Sequence, residues 1–284
     1  MTKQKISIRG PVAPRSRDAH HAQSSRSPRA DQAMVTAGLA ESRERAQAIV
    51  MAGTVYATLM RDDGTVVERR IAKASDPVRE GETLVVRAPD HPWVSRGGVK
   101  LAGALDAFGY DPAGKTVADF GASTGGFTDV LLARGASRVY AIDVGRAQLH
   151  ARLSADPRVV VLDRTNARFL DATSLPEAVG LVVIDASFIS AAKLLPAARA
   201  VLRDDGGDVI VMVKPQFEVG REAVGKGGVV RDDDVRRRAV DSIVEHAREV
   251  GLVERERSDS VLAGPSGNLE VFVWLTTTSP ASQP

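Results

Sequence analysis

Five short apolar runs, each parted from the next by a stretch of helical character, most constrain what this chain can fold into. They read TVADF, RVYAID, RVVVL, LVVID and DVIVMV, and they lie between Lys115 and Lys214. A strand that is apolar on successive residues is one buried on both faces. Such strands alternating with helices argue for a parallel sheet with helices packed on each side. Between Asp232 and Gly251, Val235, Ala239, Ile243 and Ala247 recur every fourth residue, which predicts a long helix on that sheet. The later stretch ERSDSVLAGPSGNLEVFVWL predicts two antiparallel strands around a Gly-Pro-Ser-Gly-Asn turn. The expected class is α/β.

The pattern ahead of Lys115 is different. Residues 31–90 predict a small α+β unit: a short helix capped by Asp31 and running to Leu39, then a second helix capped by Ser42 and stopped at Gly53. Ala46, Ile49 and Val50 share one face of the second helix, and Arg43 and Arg45 lie off it. The strand-like runs TVYATLM, TVVERR and TLVVR follow, the first two parted by RDDGT. HPWVSR, residues 91–96, reads as a linker, and 97–276 as the large domain. Residues 1–30 and 277–284 read as disordered tails, since they hold little apolar content.

Charge needs to be located before it is used. The net charge of the 284-residue chain is +2, but residues 1–30 carry seven basic groups against one acid. The remainder is therefore mildly acidic, and any affinity for nucleic acid must come from local clusters or from the tail. Cysteine is absent and the five histidines show no paired zinc-ligand spacing, so neither disulfides nor a structural metal is expected. No apolar stretch is long enough to cross a bilayer and the first residues lack the core of a secretory signal. A cytoplasmic protein that neither enters a membrane nor holds a metal is the expectation.

Chemistry begins at VADFGASTGGFTDVLLARGA, a strand that turns through glycines into a helix. Free N–H groups at a helix start favour an anionic or carboxylate ligand. The loop G-A-S-T-G-G does not match the dinucleotide spacing G-x-G-x-x-G, and it lacks the Gly-Lys-Ser/Thr of a P-loop. Asp119 at its start and Asp143 closing the next strand fit S-adenosylmethionine better, because one carboxylate can accept from both ribose hydroxyls. Asn166, after the third strand, is a candidate for the adenine edge, with Asp163 as its competitor. The expected cofactor contacts are Asp119, Gly121, Ser123, Thr124, Gly125, Phe127, Asp143 and Asn166.

Four charged residues stand at element ends, where α/β sheets place their chemistry. Lys100 lies in SRGGVKL at a helix start, Asp185 ends LVVID, Lys214 ends DVIVMV, and Glu270 opens LEVFVWL. A lysine can take a proton from an attacking hydroxyl, and carboxylates can orient it. The loop beyond Lys214, through Gly227 and Gly228, is flexible enough to take part in flipping a base.

The order Lys100, Asp185, Lys214, Glu270 resembles the K-D-K-E tetrad of FtsJ-like RNA 2′-O-methyltransferases. The phrases SRGGVKLAGAL, DFGASTGGFTDVLLARGA, DRTNARFL, DASFIS, VKPQFE, GKGGVVRD and GPSGNLE resemble the TlyA (hemolysin A) family from about residue 31 to 275. That resemblance implies a Rossmann-like class I methyltransferase sheet using S-adenosylmethionine. It also implies action on cytidine 2′-hydroxyls of ribosomal RNA in ribosomal subunits, with Lys214 as base. The stretch GLAESRERAQAIVMAGTV resembles a small RNA-binding module of a small-subunit ribosomal protein, which implies that Arg43 and Arg45 face RNA phosphates. A membrane-lytic protein, suggested by the family's older name, finds no long apolar segment or cationic amphipathic helix here. A non-catalytic RNA-binding protein would not need all four tetrad positions filled.

Overall fold

The computed structural model describes residues 27–87 and 90–277. The basic tail therefore falls largely outside the described residues, as does the C-terminal tail beyond residue 277. Residues 27–30 belong instead to the small unit: Arg29 pairs with Pro77 across a bridge, and Ala30 already opens a helix.

The small unit contains α1 (Ala30–Thr36), α2 (Arg43–Met51), β1 (Val55–Met60), β2 (Val66–Arg70) and β3 (Thr83–Val86). The strands form an antiparallel sheet in the order β2-β1-β3. Ser42 caps α2 as its sequence predicts, accepting from the Arg45 amide, and Gly53 leaves the helix at φ +77°. Met34, Ala46, Val50, Val55 and Ile71 make the core. Asp31 is not the cap of α1; it sits in the first turn, fully buried, and its carboxylate pairs with Arg29 and Arg43. Those bonds, the one from Arg29 foremost, hold its pKa well below the usual carboxylate range.

The large unit follows as α3 (Arg96–Phe108), β4 (Thr116–Phe120), α4 (Gly126–Ala133), β5 (Arg138–Ile142), α5 (Ala151–Ser154), β6 (Val159–Leu162), β7 (Leu181–Ile184), α6 (Leu195–Val201), β8 (Asp208–Val213), α7 (Pro215–Glu218), α8 (Asp233–Glu249), β9 (Val253–Asp259) and β10 (Val271–Thr276). The five apolar runs are five parallel strands, and the C-terminal pair joins them antiparallel in the order β6-β5-β4-β7-β8-β10-β9. Leu101, Ala104, Leu105 and Phe108 of α3 cover one face of the sheet together with α4. Val240, Ile243, Val244 and Ala247 of α8 cover the other with α6. The segment read as a linker is anchored to the large unit: Trp93 packs on its core, and the Val94 amide donates to Asp129 Oδ2 at 2.9 Å.

Strand order reverses at β4, which is flanked by β5 on one side and β7 on the other. The carboxyl ends of strands around such a reversal leave a crevice, the usual ligand position in open α/β sheets. Among the described residues no helix is long and apolar enough to cross a membrane. Nor is there among them any group of three or more His, Asp or Glu side chains placed to hold a metal.

Candidate active site

A cavity of about 600 Å³ opens at this reversal. Its size falls within the few-hundred to about 1,000 Å³ typical of small-molecule sites. One end is built by the loop after β4. Gly121 has φ +89°, and a Cβ there would fall 2.5 Å from the Asp185 carbonyl oxygen, so only glycine lets the loop pass the neighbouring strand so closely. Asp143, just past β5, accepts from the Ser123 amide at 2.9 Å through Oδ2 and from the Gly145 amide at 2.7 Å through Oδ1. Each carboxylate oxygen keeps a lone pair for a further donor.

Gly121, Ser123, Thr124, Phe127, Asp143 and Asn166 line this cavity; Gly125 and Asp119 do not. Gly125 has φ +94° and turns the chain into α4. Asp119 lies inside β4 with no exposure, where its Oδ2 accepts from Thr128 Oγ1 at 2.7 Å. Its Oδ1 has no partner among the described residues. Burial pushes its pKa up to about 7, against the opposing bond from Thr128 and with a further push from Asp185. Asn166 caps a single 3-10 turn by accepting from the Arg168 amide. Its competitor Asp163 accepts from the Ala147 amide and is not part of the cavity wall.

The other end of the cavity holds the four charged residues. They arrive from α3, from the loops after β7 and β8, and from the start of β10, and all four line the one cavity. They form two ion pairs. Lys214 Nζ lies 2.5 Å from Asp185 Oδ1, an ionic contact rather than an aligned hydrogen bond, and donates to Ser187 Oγ at 2.9 Å. Lys100 Nζ donates to Glu270 Oε2, with both side chains almost wholly buried. Helix α3 can bring Lys100 in because Gly98 meets Gly126 of α4: a Cβ on Gly126 would fall 2.8 Å from the Gly98 nitrogen.

Sequence reasoning missed several contributors. Ser187 and Phe188 stand in DASFIS, where only Asp185 was given a role. Phe188 is 91% exposed at the cavity rim and holds φ +66°, unusual for a bulky residue. Asn268, 1% exposed, accepts from the Val230 amide at 2.9 Å and donates to the Gly228 carbonyl at 2.8 Å. The loop expected to be flexible through Gly227 and Gly228 is thereby clasped at one end, beside Glu270. The small unit also supplies wall: Val50, Met51, Arg70, Ile71 and Ala72 reach the cavity. Of the two arginines expected to face RNA, Arg43 is committed to buried Asp31 while half exposed. Arg45 faces the large unit closely enough that its charge helps depress the pKa of His150, after burial and Arg152.

The pattern of FtsJ-like methyltransferases matches residues 93–277, the whole of the large unit and the segment that enters it. The chain belongs to the FtsJ-like methyltransferase family. Within it, the chain is 47% identical over 249 residues to the 16S/23S rRNA (cytidine-2′-O)-methyltransferase TlyA of Mycobacterium tuberculosis, covering 88% of this chain and 90% of that one. It is 35% identical to Hemolysin A of Brachyspira hyodysenteriae, over 85% and 97% of the two chains. A solved structure of a presumed hemolysin from Streptococcus thermophilus superposes with a TM-score of 0.67 at 36% identity, covering 89% and 90%. These relatives span both units, so the small unit belongs to the shared architecture. Methyltransferases of this family imply S-adenosylmethionine as methyl donor, and the glycine loop with Asp143 has the donors and acceptors to hold it.

Proposed function

We propose that the protein methylates the 2′-hydroxyl of cytidine in ribosomal RNA within ribosomal subunits, in the cytoplasm, using S-adenosylmethionine and Lys214 as general base. One observation carries this reading: two lysine–carboxylate pairs share a single cavity with a glycine-rich loop and an acid suited to a nucleoside. The relatives' activity on ribosomal RNA supports the substrate.

S-adenosylmethionine supplies a methyl group activated by its positive sulfur. The loop 121–127 and Asp143 would hold that cofactor, with Asn166 near the adenine. A ribose hydroxyl is a poor nucleophile until its proton leaves, so a base must accept that proton as the oxygen attacks. Lys214 Nζ is the group in place for it, once its own ammonium proton has passed to solvent and left the amine neutral. Asp185, 2.5 Å away, stabilises the ammonium that forms, and Ser187 fixes the side chain's direction. Lys100 supplies a second cation for the charge developing on the oxygen, and Glu270 keeps it in position. Phe188 offers a ring on which the acceptor base can stack once drawn from its strand.

The test is transfer of tritiated methyl to isolated ribosomal subunits, followed by digestion to nucleosides. Labelled 2′-O-methylcytidine is expected. No ribose label on either subunit would refute the activity; label with Lys214→Met would remove Lys214 as base.

A further inference from the structure

Two arginines line the cavity without a carboxylate partner among the described residues. Arg70 closes β2 of the small unit, and Arg96 opens α3 of the large one, a single turn ahead of Lys100. The polar contact described for Arg96 is a bond to the Ala263 carbonyl at 3.3 Å. Both side chains crowd one point: a Cβ on Gly53 would fall 1.8 Å from Arg70 Nη2 and 2.6 Å from Arg96 Cδ. Burial, followed by the charge of Arg70, pulls the pKa of Arg96 down; of the acids that oppose this, Glu270 is already tied to Lys100, and Asp90 acts by its charge without forming an ion pair with Arg96. Two half-buried like charges that meet across two structural units are held at a cost unless an anion joins them.

We propose that Arg70 and Arg96 form a composite phosphate site that takes one phosphodiester of the acceptor RNA strand and draws the small unit onto the active site. This rests on the RNA-methylating reading above. Guanidinium groups suit a phosphate, which offers two oxygens to two forks. Position favours RNA over the cofactor's carboxylate. Arg96 contacts the 260–270 loop that delivers Glu270, so the pair borders the Lys100–Glu270 end of the cavity, while Ser123 and Asp143 shape the other end. Arg70 and Arg96 are thus positioning residues for the acceptor.

The experiment is filter binding of the full chain to isolated ribosomal subunits across a range of KCl, for wild type, Arg70→Gln, Arg96→Gln and the double variant. Cofactor affinity is measured in parallel by calorimetry. Loss of one phosphate contact lowers the slope of log K against log salt by about 0.7–0.9. Each single variant is expected to show that loss, the double no more, and Arg70→Lys to recover most of it. Cofactor affinity is expected to stay within about twofold, and melting temperatures not to fall, since each change relieves repulsion. Unchanged slopes, or a double variant losing twice as much, overturn the shared site. A fall in cofactor affinity with intact slopes assigns the pair to the cofactor instead. Slopes that fall while the wild type transfers no methyl leave the phosphate site standing and refute the methylation reading. Methyl transfer with unchanged slopes does the reverse.

Discussion

Replacing one member of the buried Lys100–Glu270 pair should destabilise the large unit far more than replacing both. The side chains are 7% and 2% exposed, so each charge has left most of its water. Two unit charges about 4 Å apart attract by about 4 kcal/mol at an effective dielectric of about 20, and closer contact raises this. Desolvation of each ion costs several kcal/mol, so the pair as a whole comes out near zero relative to an apolar pair, whereas a single orphaned charge costs about 3–5 kcal/mol. Lys100→Met leaves Glu270 buried and unpaired; Glu270→Leu does the same to Lys100. Each should lower unfolding free energy by that amount, or melting temperature by roughly 6–20 °C at about 2–4 °C per kcal/mol for a unit of this size. The double variant should recover most of the loss. Urea unfolding followed by tryptophan fluorescence reads this directly, because the chain's two tryptophans, Trp93 and Trp274, both pack on one core of the large unit. The same double variant should transfer no methyl, which separates the pair's work in the reaction from its effect on stability. Single variants that each lose under about 1 kcal/mol, or a double no better than the worse single, would refute the argument.

Other outcomes follow from the same geometry. Asp119 carries a pKa raised to about 7 from 3.8, so the folded chain binds more protons than the unfolded one between those values. Stability should therefore fall by up to about 4 kcal/mol as pH rises through that window, and Asp119→Asn should flatten the curve in urea titrations at pH 5 and 8. Asp31 has the opposite sign: its depressed pKa gives stability present at neutral pH and lost as pH drops below about 4. Asp31→Asn should cost about 3 kcal/mol at pH 7 in the same titrations and still most of that at pH 3, where the folded carboxyl remains ionised; the difference closes only as pH falls through its depressed pKa. Asp143→Ala should weaken calorimetric cofactor affinity by about 10- to 100-fold, as expected for loss of a charged acceptor. Phe188→Ala should raise KM for ribosomal subunits by about tenfold, a stacking loss of 1–3 kcal/mol, with cofactor affinity unchanged.

Much of this architecture was legible in the chain because it is written in local signals. The five apolar runs are strands, Ser42 and Gly53 bound their helix, and α8 lies where its four-residue repeat put it. The element ends bearing Lys100, Asp185, Lys214 and Glu270 were equally plain. Asp119 was misplaced as a loop residue because an acid at a strand's end looks alike whether it points at a ligand or into the sheet. The sequence presents Arg43 as a cation free to face RNA because its partner, Asp31, looks like a helix cap twelve residues earlier.

What the sequence determined by itself was the set of elements, the glycine turn and the types of charged group, since periodicity, capping and turn chemistry depend on residues within a few positions of each other. Tertiary structure alone decided who meets whom. Lys100 and Glu270 are 170 residues apart and pair only because α3 packs against α4 while β10 inserts beside β8. Arg70 reaches the cavity only because the small unit lies over the mouth of the sheet. Strand order and the docking of one unit on another are non-local, set by which buried faces fit, and no window of sequence contains both partners.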